Sequence, residues 1–245
     1  MDYFEKKRQL RVIPDSPAVT LTIAATGRHT FGGTRHDLSF SGMDISKPVH
    51  HFLTLDTFDR LCPIKSDVFT KLPLVYPLLY GAGGGEIQYT VVNDERIDVH
   101  HLSDCCEDDP YVNHTELPLR NVSLRKLTYT QERLACALNG FFPRKRLSLL
   151  DRIRLRGCKN LDFFRMGGHF ESCQGSIWQL CKNPKCDWRN GFGSNENRAQ
   201  IWPIAIFYAT TRFVGPVWGQ YSEDVEFYFG YCPHCSAIHA VNRCT

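Results

Sequence analysis

Apolar and polar positions alternate over short stretches along much of this chain, which is the period of a half-buried β-strand. Ala18-Val19-Thr20-Leu21-Thr22-Ile23 is one such stretch. Ile201 to Tyr208 and Val225 to Tyr231 are two more, both rich in aromatic and β-branched residues. Glu86 to Val92 alternates, Asn93-Asp94 supplies turn chemistry and Arg96 to Val99 returns, so a hairpin is predicted there. From Lys47 to Leu79, prolines at 48, 63, 73 and 77 forbid a long helix and leave short strands and turns. The helical period is clearest over Thr128 to Gly140, where a threonine caps the start, Leu127, Leu134 and Leu138 share a face and Asn139-Gly140 ends it. Leu147 to Leu155 fits helix and strand equally. The fold class expected from this pattern is α+β: strand-rich, with antiparallel hairpins and few helices.

Composition changes that picture little. In 245 residues, 42% are hydrophobic and 22% charged, as in ordinary globular chains. A formal net charge of +3 is too small to announce nucleic acid or an anionic membrane as partner. Met1-Asp2-Tyr3-Phe4-Glu5-Lys6-Lys7-Arg8 is charged where a secretory signal needs an apolar core, and no apolar run approaches the roughly 20 residues that span a bilayer. A cytoplasmic protein with no membrane partner is the expectation. Gly81-Ala82-Gly83-Gly84-Gly85 lacks a following Lys-Ser/Thr pair and leads into a strand, so it reads as a connection and not a phosphate loop.

The cysteines carry the strongest chemistry. Eleven of them, an odd count without a secretory signal, argue against a disulfide framework and toward metal. Cys232-Pro233-His234-Cys235 is a turn whose two-residue spacer lets both sulfurs point to one ion. Cys181-Lys182-Asn183-Pro184-Lys185-Cys186 is a wider version bent at Asn183-Pro184. Together the two knuckles predict one structural zinc ion, Zn2+, bound by Cys181, Cys186, Cys232 and Cys235, with Cys173, His169, His234, His239 or Cys244 as replacements for one of them. Four thiolates leave no open coordination position, so such an ion holds structure and does not activate water.

Other constellations are weaker. His50-His51 and His100-His101 are adjacent pairs, and neighbours on a strand face opposite ways, so neither pair converges easily on one ion. Cys105-Cys106 lies among carboxylates that disfavour a thiolate, while Cys62, Cys136 and Cys158 read as core or incidental residues. Charge is segregated: residues 94–116 hold eight carboxylates and one arginine, whereas Arg120 to Lys159 hold eleven Lys or Arg and two acids. Arg144-Lys145-Arg146 and Arg152, Arg154 and Arg156, with Phe141 and Phe142, offer a nucleic-acid surface.

Met166-Gly167-Gly168, the Cys181 to Cys186 knuckle and an aromatic strand entering Cys232-Pro233-His234-Cys235 resemble the YwqG-like family of uncharacterised bacterial proteins. In that family the glycine pair is followed by Pro and Trp, whereas here His169-Phe170 follows and the tryptophan waits until Trp178. The resemblance covers the C-terminal third and implies an α+β domain with a zinc-knuckle pair and no established activity. Residues 1–160 are expected to form an α+β N-terminal part, with 161–245 a ribbon-like zinc-knuckle β region packed on it as one composite domain. The function expected is a non-catalytic, zinc-stabilised protein-interaction module whose partner is another protein, with bacterial immunity or regulation as the finer role. Nucleic-acid binding through residues 120–159 and an enzyme site near His100 and His101 are the alternatives.

Overall fold

The computed structural model describes residues 10–12, 16–33, 37–42, 49–77, 85–103, 117–132, 148–150, 153, 164–168, 180–186, 201–208, 210–211, 215–216 and 225–244. Those residues form sixteen strands: β1 (Leu10–Val12), β2 (Val19–Ile23), β3 (His29–Phe31), β4 (Ser39–Ser41), β5 (His50–Asp56), β6 (Ile64–Ser66), β7 (Lys71–Tyr76) and β8 (Glu86–Asn93) come first. Then follow β9 (Arg96–Leu102), β10 (Arg120–Lys126), β11 (Phe164–Met166), β12 (Trp202–Tyr208), β13 (Thr210–Thr211), β14 (Gly215–Pro216), β15 (Val225–Tyr231) and β16 (Ile238–Cys244). The described chain is therefore nearly all strand, and the α+β expectation is corrected. Among the described residues, helical backbone is confined to residues 129–132 and to Leu149, Leu150 and Ile153. The predicted helix does begin where its cap places it. Gln131 N donates to Thr128 Oγ1 (3.2 Å) and Thr128 N donates to Gln131 Oε1 (3.0 Å), a reciprocal capping box. Its remainder lies outside the described residues.

Twelve strands share one sheet in the order β4-β9-β8-β16-β15-β12-β11-β2-β10-β3-β5-β7. All its described pairs are antiparallel except β4 with β9. The C-terminal strands β11, β12, β15 and β16 are inserted between β8 and β2, so the sheet interleaves early and late parts of the sequence. A twisted sheet this wide curls rather than staying open. Phe52 of β5 meets Phe207 of β12 and Phe227 and Phe229 of β15 at ring-centroid distances of 4.6–5.9 Å, and Tyr76 of β7 meets Phe227 at 5.3 Å. One half of the sheet thus folds over the other, with the aromatic inner faces as the core. Tyr89 of β8 ties the ends: its hydroxyl donates to Pro73 O (2.8 Å) and accepts from Val75 N (3.1 Å) on β7. A side chain satisfies backbone groups that the edge strand would otherwise leave buried and unpaired.

One buried histidine steadies the turn after β5. His29 is fully buried; its Nδ1 accepts from Asp56 N (3.0 Å) and its Nε2 contacts Asp59 Oδ2 at 2.9 Å. These contacts fix Nε2 as the donor and keep the ring neutral. Burial lowers the His29 pKa below 6.5, and the attraction of Asp59 does not restore it. A group that prefers its neutral form when folded contributes stability that is full above its unfolded pKa and lost as pH falls below it. The urea midpoint is expected to fall between pH 7.5 and pH 5.5, with a smaller fall in His29→Gln. Equal slopes in the two proteins would dismiss His29 as the titrating group.

Candidate metal centre

The second knuckle is the turn that joins β15 to β16, two neighbouring strands of the main sheet. Cys232 N donates to Ala237 O (2.8 Å) and Ser236 N to Cys232 O (2.9 Å), which closes the loop under the two cysteines. Ser236 occupies left-handed backbone space (φ 62°), which is uncommon without glycine. Its hydroxyl accepts from Leu10 N (3.1 Å), so β1 is anchored to the knuckle in return.

The first knuckle is built on a side-chain turn. Asn183 accepts from Lys185 N through Oδ1 (2.9 Å) and from Cys186 N through its carbonyl (3.0 Å), bending the chain around Pro184. Gln88 of β8 then holds this knuckle to the sheet from both sides of Cys181. Its Nε2 donates to Leu180 O (2.9 Å) and its Oε1 accepts from Lys182 N (2.7 Å), as a neighbouring strand would. Lys182 Nζ reaches Glu86 Oε1 (3.1 Å), and Lys185 Nζ reaches Asp98 Oδ2 (3.6 Å). Because β8 is also hydrogen-bonded to β16, one strand positions both knuckles.

The four sulfurs converge. All lie within 4.8 Å of one another, with Cys181 to Cys235 at 3.5 Å and Cys186 to Cys232 at 3.9 Å. Metal–sulfur bonds of about 2.3 Å at tetrahedral angles place sulfurs about 3.8 Å apart, whereas a disulfide needs about 2.05 Å. The spacing therefore fits four ligands around one metal ion, and the donor set is one that binds metal. Among the described residues no other cluster of His, Cys, Asp or Glu has that geometry. Their protons are interdependent: bonding to Cys186 pushes the Cys181 thiol up, while a hydrogen bond from Cys181 pulls Cys232 down. One thiolate is thus favoured at the expense of its neighbours. A dication is what allows adjacent thiolates to coexist in so small a space.

Apolar residues close the centre. Ile201 and Ala237 pack with the cysteines in a small buried cluster of their own. Gly230 of β15 makes room for Ile201, since a Cβ there would lie 2.5 Å from Ile201 Cγ2 and 2.9 Å from Trp202 O. Gly230→Ala is expected to cost about 1–3 kcal/mol, the range for overpacking, and to loosen the metal centre with it. Urea unfolding with a metal-release assay checks this; unchanged values in both would refute the packing role.

The histidine pairs divide. His50 and His51 are buried in β5. At His100 the strand carries a β-bulge: Gln88 pairs with His101 and Tyr89 with Val99, leaving His100 between them. The extra residue puts both His100 and His101 on the outer side, against the strict alternation expected. His100 Nε2 meets Thr90 Oγ1 (2.7 Å), whereas His101 Nε2 accepts from Lys182 Nζ (2.8 Å). Burial holds both rings below the usual histidine range. Glu86 is the hub of this face, lying 3.2 Å from His239 Nε2 and accepting from Gln88 Nε2 (2.8 Å). Burial pushes its carboxyl up, but His239, Gln88 and Lys182 together outweigh that and hold it at about 2. Sequence reasoning missed Glu86 and Gln88 and offered His239 only as a metal ligand, because only the register of β8 with β9 and β16 brings the three beside Lys182.

His239, weighed as a replacement ligand, faces Glu86, and His234 lies on the second knuckle outside the sulfur cluster. His169, Cys173, Cys105, Cys106, Cys136 and Cys158 lie outside the described residues, as does the Cys244 side chain. Cys62 is a core residue, its thiol pushed up to about 11 by burial. Of the basic stretch, Arg120, Arg125 and Lys126 are exposed on β10, while residues 133–147 and most of 151–163 lie outside the description. Among the described residues no helix is long and apolar enough to cross a membrane. Comparison of the chain with protein-family models, with curated proteins and with solved structures finds no match.

Proposed function

We propose that this protein is a non-catalytic protein-interaction module stabilised by one structural zinc ion on Cys181, Cys186, Cys232 and Cys235. The observation that supports it is the convergence of four sulfurs, three of them on buried cysteines, into a closed shell without a place for substrate. Tetrahedral sulfur sets suit zinc or iron, and zinc is the ion that serves structure alone. Phe58, Leu61 and Val68, on the turns either side of β6, are 63%, 38% and 52% exposed, which supplies apolar contact area for a protein partner. Regulation or immunity in a bacterium is the finer proposal. Elemental analysis of protein purified without added metal is expected to give one zinc per chain. Iron in its place, no metal, or zinc-dependent hydrolysis of a panel of esters and phosphate esters would overturn this reading.

A second reading has one observation in its favour. The bulge at His100 turns His101 into a face shared with Glu86, Lys182 and His239, a set able to move a proton. An activity abolished by alanine at His101, with zinc content unchanged, would support an enzyme there, and an activity that survived would exclude that site.

A further inference from the structure

We infer that the four-cysteine centre is a peroxide-reactive site whose oxidation joins the two knuckles to each other, forming Cys181–Cys235 and Cys186–Cys232 disulfides and releasing the metal. This rests on the metal-centre reading above and extends it to the chemistry of the ligands.

Three observations carry it. First, sulfurs of different knuckles lie close together, Cys181 to Cys235 at 3.5 Å and Cys186 to Cys232 at 3.9 Å, so each pair needs to close by less than about 2 Å to reach disulfide length. Second, access is uneven: Cys235 is partly exposed whereas Cys181, Cys186 and Cys232 are buried. An oxidant in water therefore meets Cys235 first, and the Cys181 sulfur stands 3.5 Å from it. Third, the first knuckle does not depend on metal alone for its place. Gln88 holds the backbone on both sides of Cys181, and Lys182 pairs with Glu86. Cys181 thus stays opposite Cys235 when the coordination bonds break.

The chemistry balances with hydrogen peroxide as oxidant. The Cys235 thiolate, already deprotonated by coordination, attacks one peroxide oxygen; the O–O bond breaks, hydroxide leaves and Cys235 becomes a sulfenic acid. The Cys181 thiolate then attacks that sulfur, the S–S bond forms and a second hydroxide leaves. Two sulfurs lose two electrons in all, peroxide gains them, and two protons convert both hydroxides to water. Cys186 and Cys232 follow with a second peroxide. A bridge from residue 181 to residue 235 closes a far longer loop than one from 232 to 235, so it restrains the unfolded chain more. The oxidised, metal-free chain accordingly keeps its knuckles joined.

The test treats the purified full chain with stepwise hydrogen peroxide, follows metal release with a chromogenic indicator and maps disulfides by non-reducing peptide mass spectrometry. Metal release in step with the two cross-knuckle bridges, reversed by dithiothreitol and zinc, is expected. Main products bridged within a knuckle (232 with 235, or 181 with 186), sulfinic and sulfonic acids alone, or no oxidation would overturn the inference. Elemental analysis of the same protein before oxidation separates it from the reading beneath it. Cross-knuckle bridges in a protein that never held metal would refute the zinc reading and keep the pairing; zinc at one per chain with within-knuckle bridges would do the reverse. In Gln88→Ala the share of within-knuckle bridges is expected to rise several-fold, and an unchanged share would remove the clamp from the argument.

Discussion

With the zinc centre proposed above, Cys235→Ser is expected to hold no zinc and to lose several kcal/mol of stability, and chelator-stripped wild-type protein is expected to match it. For structural zinc the binding free energy is folding free energy, with apparent values of about 10–16 kcal/mol in small zinc modules. That exceeds the whole stability of many domains. Here only part of it will show, because the second knuckle is a turn between β15 and β16, whose strands remain paired within a twelve-stranded sheet. The first knuckle is also held by Gln88 and Lys182. Metal loss should therefore loosen the second knuckle, Ile201 and the contact of Leu10 N with Ser236 before it unfolds the sheet, while Gln88 and Lys182 keep residues 180–186 in place. Urea unfolding with elemental analysis, and hydrogen exchange at residues 10–12 and 180–186, measure the two parts. Zinc retained in Cys235→Ser, or an unchanged urea midpoint after stripping, would contradict the structural assignment.

The strands of the C-terminal third were legible because nothing competes with their pattern. Val225 to Tyr231 alternates aromatic and small or polar residues, and β15 spans those residues. The hairpin around Asn93-Asp94 likewise became β8 and β9, since turn chemistry and alternation agree there. Four cysteines in two short turns named a set that could hold a metal ion for a related reason: the ligand chemistry is written in residue type and local spacing. What the sequence did not show is partnership between distant strands. Ser39 to Ser41 carries no strand signal, and it is a strand only because β9 offers it a parallel edge. The weight given to Thr128 to Gly140 set helix beside strand in the fold class, although sheet pairing dominates the described chain. The bulge at His100 was equally hidden. It adds a residue without changing composition, yet it turns every later side chain of β9 to the opposite face.

Phe52→Ala is expected to cost about 3–5 kcal/mol, the range for truncating a buried phenylalanine. Phe52 is itself the extra residue of a bulge, for His51 pairs with Val75 and Leu53 with Leu74 across β5 and β7. Its ring is 1% exposed and lies within 6.4 Å of the rings of Tyr76, Phe207, Phe227 and Phe229, measured between centroids. These neighbours come from β7, β12 and β15, so one side chain fills the space between the two facing halves of the curled sheet. Strand hydrogen bonds cannot substitute for it, because among the described residues the halves are joined across the core by side-chain packing and by a few side-chain hydrogen bonds, those of Tyr89 to β7 and of Asp94 to Thr70 and Lys71. The nearby Phe58, 63% exposed on the turn after β5, supplies the control, and Phe58→Ala should change stability by less than about 0.5 kcal/mol. At about 2–4 °C per kcal/mol for a chain of this size, the Phe52 variant should melt about 10 °C lower while the Phe58 variant stays near wild type. Equal melting temperatures for the two variants would mean that the halves do not rely on Phe52 to face each other. A large loss with zinc content unchanged would instead separate the aromatic core from the metal centre as independent sources of stability.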